Sequence, residues 1–130
     1  MADLYGHAFS DNYRLAGSKK MLALSDDTYS VIRIPRFAFV KELWVEVLVL
    51  DADATMTVGF IGNKETAGVD AFMYNAACAP GTLGLKSCKG GVAAEASGKY
   101  FREGSGAITV TVADANLLSF QIFAGYSVIH

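Results

Sequence analysis

The chain has 130 residues, 52% apolar, 12% aromatic and 18% charged, with a formal net charge of −2. This is one domain with enough apolar surface to fill a core, which excludes a disordered chain. Its scattered basic residues (Lys19-Lys20, Arg33, Arg36, Lys86, Lys89, Lys99, Arg102) form no stripe of the kind that tracks a nucleic-acid backbone. Charged residues fall below the usual quarter of a soluble domain, so the chain is either deeply buried or carries a partly apolar surface.

Residues 1–18 mix aromatic side chains (Tyr5, Phe9, Tyr13) with polar residues and glycines, without a period. They read as an irregular N-terminal arm that docks on its own domain or on a neighbour. The start lacks the basic-then-apolar pattern of a secretory signal. No apolar run is long enough for a spanning helix, the longest being residues 115–129.

From Lys20 onward the pattern is β. A short apolar run, Met21 to Leu24, ends at the turn signal Ser25-Asp26-Asp27. Thr28 to Ile34 reads as a strand closed by Pro35. Over residues 41–50, Leu43, Val45, Val47 and Val49 share one face, and Trp44, Glu46, Leu48 and Leu50 share the other. Asp51 to Ala54 is a turn, and Thr55 to Ile61 follows with Met56, Val58 and Phe60 on the inner side. These two strands are expected to form an antiparallel hairpin. Val69 to Ala77 fits either a helical turn or an irregular segment. Short strands follow at 84–88 and 99–101, separated by a loop at 89–98. Ile108, Val110 and Val112 alternate with threonines. Leu118 to Val128 forms a long last strand.

About eight short strands with turns between them, and no amphipathic helix, predict an all-β antiparallel sandwich of jelly-roll type. The arm at 1–18 and a single sandwich domain at 19–130 are the expected organisation.

Little in the sequence points to chemistry. His7 and His130 lie at opposite ends, there is no Gly-x-Ser-x-Gly elbow, and no phosphate-binding glycine loop occurs. No catalytic, cofactor or metal site is expected. Cys78 and Cys88 either close a short loop or remain buried thiols. The carboxylate groups Asp26-Asp27, Asp51 with Asp53, and Asn63, Glu65 and Asp70 suit turn formation better than calcium ligation. The aromatics Trp44, Tyr100, Phe101 and Tyr126 read as core or, alternatively, as a carbohydrate platform. Trp44 and Phe123 fall on the outward faces of their strands, which suggests a contact surface.

The run Ile34-Pro35-Arg36-Phe37-Ala38-Phe39-Val40-Lys41-Glu42-Leu43-Trp44-Val45, the strand Thr55-Met56-Thr57-Val58-Gly59-Phe60, the loop Asp70-Ala71-Phe72 and the late strand Ile108-Thr109-Val110-Thr111-Val112 stand in a recognisable order. Over roughly residues 30–128 that order resembles the jelly-roll capsid decoration, or cement, and head structural proteins of tailed bacteriophages. The resemblance implies a non-enzymatic virion protein, made in the host cytoplasm and placed on the capsid surface. Its partners would be the major capsid protein and further copies of itself, as a dimer or trimer, with no nucleic acid or membrane. A head-fibre or tail/adhesin module with a carbohydrate-binding sandwich is the alternative. The contact residues expected on this reading are Tyr5, Phe9, Tyr13 and Arg14 in the arm, with Trp44 and Phe123 on the sheet.

Overall fold

The computed structural model describes residue 2, residues 13–89 and residues 91–129. Tyr5, Phe9, His7 and His130 lie outside them. The described chain forms β1 (Tyr13–Gly17), β2 (Met21–Leu22), β3 (Asp27–Ile34), β4 (Ala38–Val49), β5 (Thr55–Gly62), β6 (Gly68–Met73), one helical turn α1 (Asn75–Cys78), β7 (Gly84–Ser87), β8 (Lys99–Tyr100), β9 (Gly106–Ala113) and β10 (Ser119–Val128).

Two antiparallel sheets pack as a sandwich. One has the order β1-β10-β4-β7, with β2 added on β10 and β8 on β4; the other has the order β3-β9-β5-β6. Apart from the β5–β6 hairpin and the short strands β2 and β8, each strand is followed by one in the other sheet, which is the jelly-roll path. The inner faces follow the alternation in the sequence. Leu43, Val45 and Val47 from β4 and Phe120, Ile122 and Ala124 from β10 meet Met56, Val58 and Phe60 from β5 and Ile108, Val110 and Val112 from β9.

Four expectations change. Residues 41–50 and 55–61 do not form a hairpin. β4 pairs with β10, β7 and β8, whereas β5 pairs with β9 and β6. The turn at 51–54 carries the chain across the core, because both strands have an apolar face and each needs the other sheet to cover it. The eight strands of four or more residues also differ from those expected. β1 and β6 belong among them, and the runs at 21–24 and 99–101 contribute only the two-residue strands β2 and β8. Finally, the described part of the arm is not irregular. Tyr13–Gly17 pairs in register with Ser127 to Phe123 of β10. Val49, expected in the core, ends β4 46% exposed.

β6 was hard to read because it is distorted. Val58 pairs with Met73 and Phe60 with Gly68, so four residues of β6 bow out opposite the single Gly59. A Cβ on Gly59 would lie 1.7 Å from the Gly68 carbonyl oxygen. Only glycine allows the two backbones to approach so closely.

Polar side chains fasten the loops at each end of the sandwich. At one end Asp51 is buried and accepts the backbone N–H of Asn116 (2.7 Å), Leu117 (2.9 Å) and Asp53 (3.2 Å). These bonds hold its carboxyl below the usual aspartate range. At the other end the buried Asn63 accepts the N–H of Glu103 at 2.8 Å. There the ammonium of Lys99, itself buried, donates to Glu65 at 2.6 Å and sits 4.3 Å from the centre of the Phe60 ring. Phe60 and Phe101 meet edge to face at 6.0 Å. Asp51 and Asn63 thus act as acceptors for loop N–H groups, whereas Glu65 is an ion-pair partner of Lys99. Cys78 and Cys88 are free, buried thiols, and burial pushes Cys78 up to about 12.

Two outcomes follow. Phe101→Ala, emptying a fully buried ring site, should cost about 3–5 kcal/mol in urea unfolding. Asp51 contributes stability above its unfolded pKa of about 3.9, and that contribution is lost as pH falls through its lower folded pKa. Asp51→Asn should therefore lower the urea midpoint at pH 7, and the gap to the parent protein should shrink toward pH 3. A gap that stays constant with pH would assign the effect to something other than the carboxylate.

Candidate docking face

The two outer faces of the sandwich differ in kind. On the four-stranded sheet, strand register sets Thr28, Thr111 and Thr57 in one row and Ser30, Thr109 and Gly59 in the next. The Thr28 and Thr111 hydroxyls lie 2.8 Å apart, and the Thr57 hydroxyl donates to the Val69 carbonyl at 3.0 Å. Thr109 is buried and the exposed Val69 adjoins this row on β6, so the accessible hydroxyls of this face are those of Thr28, Ser30, Thr57 and Thr111.

The six-stranded sheet turns outward a face centred on large apolar groups. Phe123 of β10 stands directly opposite Trp44 of β4. Trp44 in turn faces Ser87, and Glu46 faces Leu85, both on β7. Leu15 comes from β1 on the other flank. Leu15, Phe123, Trp44, Leu85 and Glu46 line a shallow hollow of about 340 Å³. Leu15 and Leu85 are 66% and 61% exposed, values that no core leucine shows. The Phe123 ring lies over Gly17, 3.2 Å from where a Cβ would stand.

One rim of this face is polar. The Tyr13 hydroxyl donates to one Glu42 oxygen at 2.8 Å, and the Lys89 ammonium donates to the other at 3.0 Å. Tyr13 reaches Glu42 by crossing β10 at Gly125, where a Cβ would sit 2.1 Å from the tyrosine oxygen. The bonds from Lys89 and then Tyr13 hold the Glu42 carboxyl below its ordinary range, while burial followed by the bond to Glu42 raises Tyr13.

Of the residues expected to make contacts, Trp44 and Phe123 are adjacent at the centre and Tyr13 is on the rim. Arg14 alternates to the other side of β1 and does not join them. Phe101, a candidate for an aromatic platform, is fully buried in the core. Tyr100 donates its hydroxyl to the Ile129 carbonyl at 2.8 Å. Leu15 and Leu85 belong to the face but gave no signal in the sequence. Each is an isolated leucine on a short strand whose partner lies far along the chain.

No protein-family model and no curated protein matches the sequence. Solved structures do match the fold. A chain of the cyanophage Pam1 capsid asymmetric unit superposes with a TM-score of 0.68 at 17% identity, covering 99% of this chain and 94% of that one. A chain of the acid-stable capsid of Helicobacter pylori bacteriophage KHP30 gives 0.64 at 15% identity, covering 88% and 86%.

Because Trp44 packs outward, Trp44→Ala should lower the urea midpoint by clearly less than Phe101→Ala. In the parent protein its fluorescence should be quenched by acrylamide without unfolding. An unquenched tryptophan would mean that this face is covered.

At this identity the comparisons establish a shared fold: the chain is a jelly-roll sandwich similar over nearly its whole length to chains found in two phage capsids.

Proposed function

We propose that this chain is a non-enzymatic structural component of a bacteriophage virion, placed on the capsid surface, where it decorates and stabilises the shell by binding the major capsid protein. One observation carries the reading: the likeness to chains of two phage capsids runs almost end to end on both sides, so the matched chains are single sandwiches of about this length. The apolar outer face of the six-stranded sheet supports it. A hollow lined by Trp44, Phe123, Leu15 and Leu85, with a polar rim at Tyr13, Glu42 and Lys89, has the apolar centre and wet margin of a protein contact. The hydroxyl-bearing face of the other sheet then points to solvent.

A protein that binds the assembled lattice better than free shell subunits stabilises assembly by mass action. Many copies on a symmetric shell, associating as dimers or trimers, add avidity.

The test is co-sedimentation of the purified protein with undecorated shells. The parent protein should pellet with them, and Trp44→Ala/Phe123→Ala should pellet about tenfold less at equal concentration while keeping its fold. Protein that stays in the supernatant at every salt concentration refutes the reading. Binding to a glycan array that depends on Trp44 would favour a fibre or adhesin module instead.

A further inference from the structure

The sandwich is polarised from end to end. At the end where β4 finishes, the loops at 23–26, 50–54, 79–83 and 114–118 contain Asp26, Asp51, Asp53 and Asp114. Among the described residues the cations that reach this end are Lys86, whose ammonium is bonded to the Ala79 and Thr82 carbonyls, and Lys20 beside β2, so carboxylates remain in excess. Asp27 opens β3 beside them, and all of these carboxylates except Asp51 are exposed. The same end carries five exposed apolar side chains. Leu22 and Val49 flank Ser119 in strand register, Leu117 and Leu50 lie on the adjoining loops, and Leu83 precedes Gly84, which pairs with Val47. Asp51 binds the loop of Leu117 to that of Leu50 and so fixes this patch.

At the opposite end, where β3 finishes and β4 begins, Arg33, Arg36, Lys64 and Arg102 are exposed. Among the described residues of the loops there, Glu65 is engaged by Lys99 and Glu103 is a further exposed acid. Arg36 donates to the Arg102 carbonyl at 3.1 Å, which brings its guanidinium to the loop that carries Arg102. Ile61 and Ile129 are the exposed apolar groups nearby.

We propose that the leucine-and-aspartate end of one copy docks on the arginine end of the next. The occupant is a second copy of this chain, because the chain itself carries the complementary surface: an apolar patch edged by carboxylates at one end, and apolar groups among guanidinium groups at the other. The contact is heterologous, head to tail, and distinct from the docking face on the six-stranded sheet. Such a contact closes into a ring or runs on as a filament according to its rotation. The apolar groups supply the attraction, and the charges set direction by penalising head-to-head and tail-to-tail encounters.

The test uses the full chain in sedimentation velocity, without shells, so its failure leaves the capsid reading untouched. At low salt the parent protein should associate as concentration rises. At about 1 M salt, where the Debye length is roughly 3 Å, that association should weaken about tenfold or more. Asp27→Lys/Asp53→Lys brings the acidic end close to neutrality, and Arg33→Glu/Arg102→Glu turns the other end from basic to weakly acidic, so the second variant offers an acidic end only to the first variant's basic one. Each variant alone should be monomeric with an unchanged far-UV spectrum, and an equimolar mixture of the two should associate again. A parent protein that stays monomeric at low salt overturns the proposal. So do variants that self-associate like the parent, and folded variants whose mixture does not associate. If either variant misfolds, the salt dependence of the parent decides.

Discussion

The pairing of β4 with β10 is the constraint on which the rest of the molecule depends. It runs from Ser119 opposite Val49 to Val128 opposite Ala38, joining the two longest strands of the described chain. Between shifts at Ser119/Phe120 and Gly125/Tyr126 a single register holds, and because strand side chains alternate it decides both surfaces of the sheet there. It sends Leu43, Val45, Val47, Phe120, Ile122 and Ala124 into the core and sets Trp44 against Phe123 outside. A slip of one residue would exchange the two sets. The core burial that fixes the register therefore also fixes the outer apolar pair.

Everything else on the six-stranded sheet is placed relative to that pair. β1 adds Leu15 and Tyr13 on one side of β10, and β7 adds Leu85 on the far side of β4. Gly17 and Gly125 leave room for the Phe123 ring and for Tyr13 to cross. The loops are fastened at opposite ends by different chemistry. Asp51 gathers backbone N–H groups at the acidic end, while Lys99 lies between Phe60, Phe101 and Glu65 at the basic end. The Lys99 arrangement joins the two sheets, since Lys99 belongs to β8 and Phe60 to β5.

The inner face was legible in the sequence wherever alternation ran undisturbed, as in β4, β5, β9 and β10. It was not legible where the backbone departs from ideal pairing. β6 bows around Gly59, and its residues lose their two-residue period. The pairing of β4 with β10 instead of β5 was also hidden, because a four-residue turn looks the same whether it joins strands in one sheet or carries the chain between two. Half of the docking face could be read: Trp44 and Phe123 betrayed themselves by lying out of phase with the core. Leu15 and Leu85 could not, because their place beside those rings follows from pairings across more than thirty residues and leaves no local mark.

The free edges of the sandwich carry a consequence of their own. Among the described residues β3 is bordered on one side only, by β9, and at eight residues it is long enough to recruit a stray strand. Its register breaks between Ser30 and Ile32, and Asp27 and Arg33 stand near its two ends. A bulge and flanking charges make this edge a poor template for further hydrogen bonding. Among the described residues the other sheet ends in β1 and β2 on one side and in β7 and β8 on the other, none longer than five residues. A surface with so much exposed leucine thus offers other molecules side chains, and little backbone on which a strand ladder could run on.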